Sequence, residues 1–227
     1  MIQFETLSVG DRCRFIRQQI PETVKIIAVT KTVPVSAMRE AYQAGIRDFG
    51  ESRVQEAIAK QSELEDYDDI QWHLIGHLQR NKARKAVQHF DWIHSVDNLK
   101  IAQALNQAAK EIGNTPRACL QVKMLPDPNK YGWEPDALLN DLPTLDQCAH
   151  LNLCGLMAIP PLGLSSNEAL DYFTKVSELS DTIQSTPLAH IRLEEISMGM
   201  SSDYSLAVKA GATMIRPGRI LFGERVY

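Results

Sequence analysis

Short apolar runs alternate with helical patterns along the whole chain, and this alternation is what most restricts the fold. Eight runs have the length and the β-branched or aromatic composition of strands. They are Lys25–Thr30, Asp48–Gly50, Gln71–Ile75, Trp92–His94, Ala118–Lys123, Leu153–Ala158, Glu194–Ser197 and Thr213–Arg216. Helical patterns occupy Thr6–Gln19, Val35–Ala44, Arg53–Glu63, Asn81–Gln88, Leu99–Ile112, Pro135–Leu142, Asn167–Gln184 and Asp203–Ala210. Helices between consecutive strands predict parallel pairing with right-handed crossovers.

Eight such units fit a single (β/α)8 TIM barrel of the α/β class, with residues 1–227 as one domain. Several helical patterns end in glycine, as helix C-caps do: Gly45, Gly113 and Gly211. No linker, repeat or low-complexity segment indicates a second domain. An open, doubly wound sheet is the alternative, because the pattern alone does not show that the sheet closes.

The charge balance argues against several functional classes. The 227 residues have a formal net charge of −4 and an isoelectric point near 5.9, which disfavours a general nucleic-acid or membrane-surface role. Residues Met1–Glu5 lack the basic and apolar regions of a signal peptide, and no apolar run is long enough for a membrane span. We therefore expect a cytoplasmic protein that does not bind nucleic acid or membrane.

The cysteines and histidines do not predict a metal or redox site. Four cysteines, with no C-x-x-C pair among them, are expected to be reduced and mostly buried. His73 and His77 are four residues apart, a spacing that brings two ligands together on a helix but not across the end of a strand. We expect no metal ion.

Lys31 follows the apolar run Ile26–Val29 at the end of the first predicted strand. In a (β/α)8 barrel, the carboxyl ends of the strands form the mouth where reactive groups lie. A lysine that is partly removed from water favours the neutral amine, which attacks carbonyl carbons to form a Schiff base. Taken alone, Lys31 also fits an ordinary surface lysine that ends a strand.

A second group of residues predicts a phosphate site. The segment Ser197–Asp203 leads from the seventh strand into a helix, where Ser201 or Ser202 is in position to act as N-cap. The N–H groups of that helix start, with flexible Gly199, suit an anion, and Gly218 allows close backbone approach after the eighth strand. Barrels commonly hold phosphates at strands seven and eight. With Lys31, this predicts a phosphorylated aldehyde or ketone as ligand.

Six motifs of this chain form an ordered set that is specific to one family. They are Ala28–Thr32 (AVTKT), Asp48–Glu56 (DFGESRVQE), Trp72–Lys82 (WHLIGHLQRNK), Gly155–Pro160 (GLMAIP), Ser197–Ser201 (SMGMS) and Phe222–Arg225 (FGER). Together they extend over nearly the whole chain. The sequence strongly resembles the pyridoxal phosphate homeostasis proteins, also called the YggS/PROSC family, whose cyanobacterial members are known as PipY.

The resemblance implies a fold-type III barrel like the N-terminal domain of alanine racemase, with pyridoxal 5′-phosphate (PLP) bound to Lys31 as a Schiff base. It implies that Arg216 faces the pyridine nitrogen and that the phosphate lies against Ser201 and the neighbouring backbone. The implied cofactor contacts are Lys31, Ser52, His77, Asn81, Met157, Ser197, Met198, Gly199, Met200, Ser201, Arg216, Gly218 and Arg219.

Two positions depart from the common family pattern. The family often has Asn where this chain has Ser52, so a hydrogen bond near the cofactor hydroxyl is expected to be shortened or to pass through water. Many members have Ser or Thr at the position of Arg219. An inward Arg219 side chain adds charge to the phosphate site, whereas an outward one leaves only its backbone N–H.

A carrier and an enzyme make different demands on this barrel. A racemase needs two bases on opposite faces of the cofactor, and in alanine racemase-like enzymes the second is a tyrosine from another domain of the partner subunit. The βα units use the whole chain, and Tyr131 and Tyr204 lie in no recognisable catalytic motif. An arginine at the pyridine nitrogen also disfavours ring protonation, which makes the ring a poorer electron sink.

We therefore expect a non-catalytic PLP carrier in vitamin B6 homeostasis and amino-acid balance. Without the second domain that dimerises alanine racemase, we expect a monomer, with a weak dimer as the alternative. PLP-dependent apoenzymes are the expected recipients of PLP. A PLP-dependent amino-acid racemase is the alternative, and a lysine aldolase acting on a sugar phosphate is a third class. The turn-rich segment Asp127–Gly132 is expected at the barrel mouth, where it partly covers the cofactor.

Overall fold

The structure is a computed structural model that describes residues 6–127 and 130–224. Eight parallel strands form one closed barrel in the order of the sequence, and β8 returns to pair with β1. The strands are β1 Lys25–Val29, β2 Asp48–Glu51, β3 Gln71–Leu74, β4 Trp92–Val96, β5 Arg117–Val122, β6 Asn152–Ala158, β7 Glu195–Ser197 and β8 Met214–Ile215. The predicted (β/α)8 barrel is confirmed, and closure rules out the open sheet.

The helices surround the barrel in the predicted order. They are α1 Val9–Gln18, α2 Val35–Gln43, α3 Val54–Glu63, α4 Ala83–His89, α5 Leu99–Ile112, α6 Pro135–Leu145, α7 Ser166–Gln184, α8 Tyr204–Lys209 and α9 Arg219–Phe222, with a 3₁₀ turn at Arg80–Lys82 before α4. Predicted and observed ends differ by at most three residues. The four-residue α9 was not predicted, because one turn is too short to show a periodic pattern.

Capping explains why α5 begins and ends where the sequence predicts. The Asn98 side chain accepts a hydrogen bond from the backbone N–H of Ile101 at 3.1 Å, which satisfies one free donor of the first turn. Gly113 ends the helix at φ 76°, a left-handed conformation that costs glycine little. Between these caps, Ile101 and Leu105 lie on the face that is buried against the barrel.

Helix α6 extends beyond its predicted end. The sequence pattern predicts a helix over Pro135–Leu142, and the next residue, Pro143, lacks a backbone N–H. The helix instead continues to Leu145. Leu142 and Leu145 are both buried, and the backbone N–H of Asp146 donates to Leu142 O at 2.8 Å. Packing of the two leucines therefore outweighs the loss of one backbone hydrogen bond near the helix end.

The apolar core has two parts. The larger part fills the space between the outer faces of the strands and the surrounding helices. The smaller cluster comprises Ile27, Trp92, Cys119, Cys154, Met157 and Met214, which contact one another on the opposite face of the strands. Gly155 allows β6 and β7 to approach closely, since a Cβ there would lie 2.4 Å from Glu195 O.

The four cysteines are unpaired and buried, as predicted. Burial raises the pKa of the Cys13 thiol to about 12 and that of Cys154 to about 11, so both stay protonated near neutral pH. Over residues 6–127 and 130–224, no helix has both the length and the apolar composition needed to cross a lipid bilayer. The same residues contain no His, Cys, Asp and Glu grouping suited to a metal ion.

Candidate functional site

A pocket of about 210 Å³ lies at the carboxyl ends of the strands. It brings together residues that follow the first, second, seventh and eighth strands. The predicted cofactor contacts that line it are Lys31, Ser52, Met200, Ser201, Arg216, Gly218 and Arg219. The pocket therefore combines an amine, hydroxyl groups and guanidinium groups within one cavity.

Backbone hydrogen bonds hold Lys31 at the edge of this pocket. It lies two residues beyond β1, where the N–H of Thr30 still donates to Gly50 O at 2.9 Å. The next residue, Thr32, has a φ of 62°, a left-handed conformation that is unusual for a β-branched residue. Its N–H donates to Glu56 Oε1 at 2.7 Å. Contacts on both sides thus fix the lysine's backbone.

A buried ion cluster supports the same segment from behind. Lys60 Nζ donates to Thr30 O at 2.7 Å and to Glu51 Oε1 and Glu56 Oε1, both at 2.8 Å. Thr30 Oγ1 also donates to Glu51 Oε1 at 2.6 Å. Burial raises the pKa of the Glu51 carboxyl, although Lys60 and Thr30 act in the opposite direction. The cluster ties α3 to the segment that carries Lys31.

On the far side of the pocket, Ser201 joins the loops that follow β7 and β8. Its Oγ accepts from the backbone N–H of Gly218 at 3.1 Å and of Ile220 at 3.2 Å. The prediction that Ser201 or Ser202 caps α8 is therefore wrong: the N-cap residue is Asp203. The Ser201 hydroxyl instead links the two loops by hydrogen bonds, which holds the pocket wall in place.

Gly199 shapes the same wall. It has a φ of 88°, and a Cβ there would lie 2.6 Å from the Cβ of Ala207, so only glycine fits without movement. Two predicted backbone donors are already occupied: Met200 N–H donates to Asp203 Oδ1 at 2.6 Å, and Gly218 N–H donates to Ser201. Gly199 therefore acts through its backbone conformation and its close approach to α8.

Other N–H groups at this wall lack a protein acceptor. Within the described residues, the backbone N–H groups of Ser201, Ser202 and Arg219 make no hydrogen bond. The Arg219 side chain is 59% exposed and lies 3.8 Å from Glu224, so its charge points mainly outward. These three N–H groups and the serine hydroxyls form a donor set suited to a phosphate group.

Arg216 supplies the buried cation of the pocket. It is 3% exposed, and its guanidinium donates to Ser197 Oγ at 2.6 Å and to Ala158 O at 2.8 Å. Burial lowers the pKa of Arg216 to about 10, so it remains charged near neutral pH. No carboxylate in the described part of the chain forms an ion pair with it. Its charge is available to an anionic or electron-rich ligand.

Three predicted contacts lie beneath the pocket lining. Ser197 is fully buried behind Arg216. Met157 belongs to the smaller cluster, whereas Met198 packs in the outer layer between strands and helices. Adjacent residues of a strand point to opposite faces, so Ser197 and Met198 do not share a side of β7 and its extension. Met198 therefore does not line this pocket.

His77 and Asn81 lie away from the pocket lining. His77 Nδ1 is 2.6 Å from Asp97 Oδ2, and its ring stacks on Tyr131 with centroids 3.6 Å apart. Asn81 lines a separate groove of about 420 Å³ between the 3₁₀ turn, α4 and α5. In the predicted mouth loop, Pro128 and Asn129 lie outside the described residues, as does Arg225 of the last motif.

Several residues of the site were not predicted. Ile75, Ile159 and Leu162 also line the pocket, and Leu162 is the most exposed apolar residue there. Isolated apolar residues in loops give no sequence signal. Glu51 and Lys60 lie nine residues apart on a strand and a helix, so only the fold brings them together.

The chain is similar to several known proteins. The family model "Alanine racemase, N-terminal domain" matches residues 8–226. A pyridoxal phosphate homeostasis protein of Synechocystis sp. is 50% identical over 207 residues, 91% of this chain and 94% of the relative. PipY of Synechococcus elongatus, solved with PLP bound, is 52% identical with a TM-score of 0.91, covering 95% of this chain and 100% of that chain.

An alanine racemase of Clostridium difficile shares the fold, with a TM-score of 0.78 at 16% identity. That match covers 97% of this chain and 60% of the racemase. The homeostasis protein relatives match at much higher identity and over nearly their full lengths. The chain therefore belongs to the pyridoxal phosphate homeostasis protein family.

Proposed function

We propose that this chain binds PLP and holds it as a Schiff base on Lys31, serving PLP homeostasis and amino-acid balance. The observation that carries the proposal is the single pocket in which Lys31, Arg216 and the Ser201 loop meet. A lysine amine forms a Schiff base with the aldehyde carbon of PLP and releases water. The N–H and hydroxyl groups donate hydrogen bonds to the PLP phosphate. PipY, the 52% identical relative, has a structure with PLP bound.

The donor set of the pocket fits PLP at both ends of the molecule. The N–H groups of Ser201, Ser202 and Arg219 provide donors for the phosphate, and Gly199 lets the loop that carries the two serines pack closely against Ala207 of α8. We propose that Arg216 faces the pyridine nitrogen, where it donates a hydrogen bond and keeps the ring unprotonated. PLP supplies an electron sink when bound, and an unprotonated ring is a weaker one.

We propose that the protein holds and releases PLP without fast catalytic turnover. The pocket lining drawn from residues 6–127 and 130–224 contains no tyrosine as a second base. Tyr131 stacks on His77, and Tyr204 begins α8 with a pKa raised by burial. Both features disfavour a rapid two-base proton transfer at this site.

The test of the binding site compares wild type with Lys31→Ala and Lys123→Ala. Lys123 is a matched control because it also follows a barrel strand and is half-buried, beside Glu134 at 3.7 Å. After addition of PLP, wild type and Lys123→Ala should gain an absorption band that free PLP lacks, and borohydride should fix pyridoxal on Lys31. The same band in Lys31→Ala would contradict the assignment. Trapping of a sugar on Lys31 would favour the aldolase.

The racemase alternative has its own test. The PLP-loaded protein is incubated in deuterium oxide with an amino acid, and exchange of the α-hydrogen is followed by NMR. A carrier should give no exchange above the rate of free PLP, with alanine racemase as the positive control. Rapid exchange would show that the protein is an enzyme.

We further propose that the protein acts as a cytoplasmic monomer that passes PLP to PLP-dependent apoenzymes. Schiff-base formation is reversible, so the cofactor can leave when an acceptor binds it more tightly. Light scattering should give the mass of one chain. Addition of an apo-transaminase should restore its activity as the carrier's absorption band declines. A stable dimer would contradict the monomer, and failure to restore the transaminase activity would contradict the transfer of PLP.

A further inference from the structure

A line of four hydrogen bonds crosses the inside of the barrel from Arg216 to Asp48. Arg216 Nη1 lies 2.6 Å from Ser197 Oγ, which lies 2.8 Å from His94 Nδ1. His94 Nε2 is 2.9 Å from His73 Nδ1, and His73 Nε2 is 2.9 Å from Asp48 Oδ1. Strands β4 and β7 are not neighbours in the sheet, so the bond between His94 and Ser197 spans the interior.

The two ends of this line lie at opposite ends of the barrel. Arg216 follows β8 and lines the pocket. Asp48 is the first residue of β2, 3.3 Å from Lys25 Nζ at the start of β1. The three middle residues are fully buried, whereas the side chains of Asp48 and Lys25 are 16% and 31% exposed. The line thus joins the amino-terminal face of the barrel to the pocket.

The chemistry of the two ends fixes the direction of every bond. Guanidinium only donates, so Ser197 Oγ accepts from Arg216. The Asp48 carboxylate at the other end only accepts, and each neutral ring has one donor and one acceptor, so Ser197 gives its own proton to His94 Nδ1. His94 then carries its proton on Nε2 and donates to His73 Nδ1. His73 in turn carries its proton on Nε2 and donates to the Asp48 carboxylate. All four bonds therefore donate away from the pocket.

Both imidazole rings must be neutral for this arrangement, because a doubly protonated ring has no acceptor. Burial is the main cause that lowers the pKa of His73 and holds that of His94 well below its usual value. Burial raises the Asp48 pKa, but the hydrogen bond from His73 and the charge of Lys25 outweigh it and hold the pKa below its usual value. The charged groups that act on the rings are Lys25, Asp48, Asp91 and Arg216.

We propose that Ser197, His94 and His73 are positioning residues that orient Arg216 toward the PLP ring through this one-directional relay. The inference rests on the proposed function for its ligand. Ser197 and Ala158 O each engage one amino group of the guanidinium, which fixes its plane. (β/α)8 barrels are normally filled by branched apolar side chains, so a polar line through the interior needs a reason beyond packing.

The first test needs no ligand. Long-range ¹⁵N–¹H NMR of the ligand-free protein distinguishes the two neutral tautomers and the charged form of each histidine ring. His73→Asn and His94→Asn identify the two resonances among the six histidines of the chain. We expect both rings to carry the proton on Nε2 from about pH 6 to pH 8. A proton on Nδ1 of either ring, or a charged ring, would overturn the relay.

The second test uses two buried serines. Ser197→Ala removes the link between Arg216 and His94, whereas Ser95→Ala makes the same change on β4, where the buried Ser95 Oγ has no partner among the described residues. We expect Ser197→Ala to change the His94 tautomer and to speed PLP release about tenfold or more. Ser95→Ala should release PLP within about twofold of wild type.

Ser197→Thr keeps the hydroxyl and should return the His94 tautomer and the PLP release rate toward wild type. Equal release rates in Ser197→Ala and Ser95→Ala would overturn the positioning role even if both proteins fold normally. Failure of wild type to bind PLP would instead refute the proposed function. In that case the histidine tautomers of the ligand-free protein alone would decide whether the relay exists.

Discussion

Replacement of Lys60 by methionine should destabilise the barrel strongly. Lys60 Nζ makes three hydrogen bonds of 2.7–2.8 Å, two of them to carboxylates, while its side chain is only 10% exposed. Methionine keeps the length of the side chain but leaves Glu51 buried with Thr30 as its remaining hydrogen-bond partner. Removing one partner from a buried ion pair costs about 3–5 kcal/mol. We expect a loss of that size at pH 7.

The dependence on pH identifies Glu51 as the cause. Burial raises the Glu51 pKa in the folded protein, so the folded state binds the proton more tightly than the unfolded chain. Ionisation of this carboxyl therefore destabilises the fold above its ordinary pKa, and protonation at lower pH removes that cost. Without Lys60, ionisation of Glu51 destabilises the folded protein by a larger amount. The stability gap between Lys60→Met and wild type should shrink as the pH falls through the raised Glu51 pKa of the variant.

Urea unfolding followed by tryptophan fluorescence measures the effect, because all three tryptophans are buried. Lys85→Met is the control: Lys85 is exposed on α4, and its replacement should change the stability by less than about 0.5 kcal/mol. Glu51→Gln combined with Lys60→Met should recover part of the loss. A loss below about 1 kcal/mol for Lys60→Met, or no recovery in the double variant, would refute the reasoning.

Three further substitutions test separate parts of the structure. Gly199→Ala places a Cβ 2.6 Å from Ala207 at a positive φ, so it should cost about 1–3 kcal/mol in urea unfolding and weaken PLP binding in a fluorescence titration. Thr32→Gly removes a left-handed threonine and should stabilise by up to about 1 kcal/mol; a loss would show that the conformation is not strained. The Asp146 carboxylate accepts three backbone N–H bonds from residues 189–191, which hold its pKa low despite burial. Asp146→Asn should therefore cost about 1–3 kcal/mol at pH 7, and this difference should fade as acid protonates Asp146 in wild type; a constant difference would contradict the charge-based explanation.

The alternation of strands and helices determined the fold class from the sequence alone. Strand positions follow from β-branched runs such as Ile26–Val29, and helix ends follow from Gly113 and similar caps. These signals are local, so they can be read from the sequence without knowledge of the tertiary structure. The end of α6 was misplaced because the burial of Leu142 and Leu145 depends on what packs against them.

The site was predicted less completely than the fold. Lys31 and Gly199 were found because strand ends and glycines are visible in the sequence. The predicted N-cap role of Ser201 or Ser202 is wrong, because the N-cap is Asp203 and the Ser201 hydroxyl accepts from Gly218 on another loop. The interior line through His73 and His94 joins residues from five strands or their ends, and no local pattern marks it.

The seam between β1 and β8 has a consequence for folding. The two strands pair Lys25 with Met214 and Ile26 with Ile215, so the barrel closes through contacts between residues from opposite ends of the sequence. Such high contact order slows folding, and a ribosome must release almost the whole chain before the seam can form. Lys31 and Arg216 lie just beyond these two strands. A ligand that contacts both residues therefore binds only after closure, and it slows reopening of the barrel at its last-formed joint.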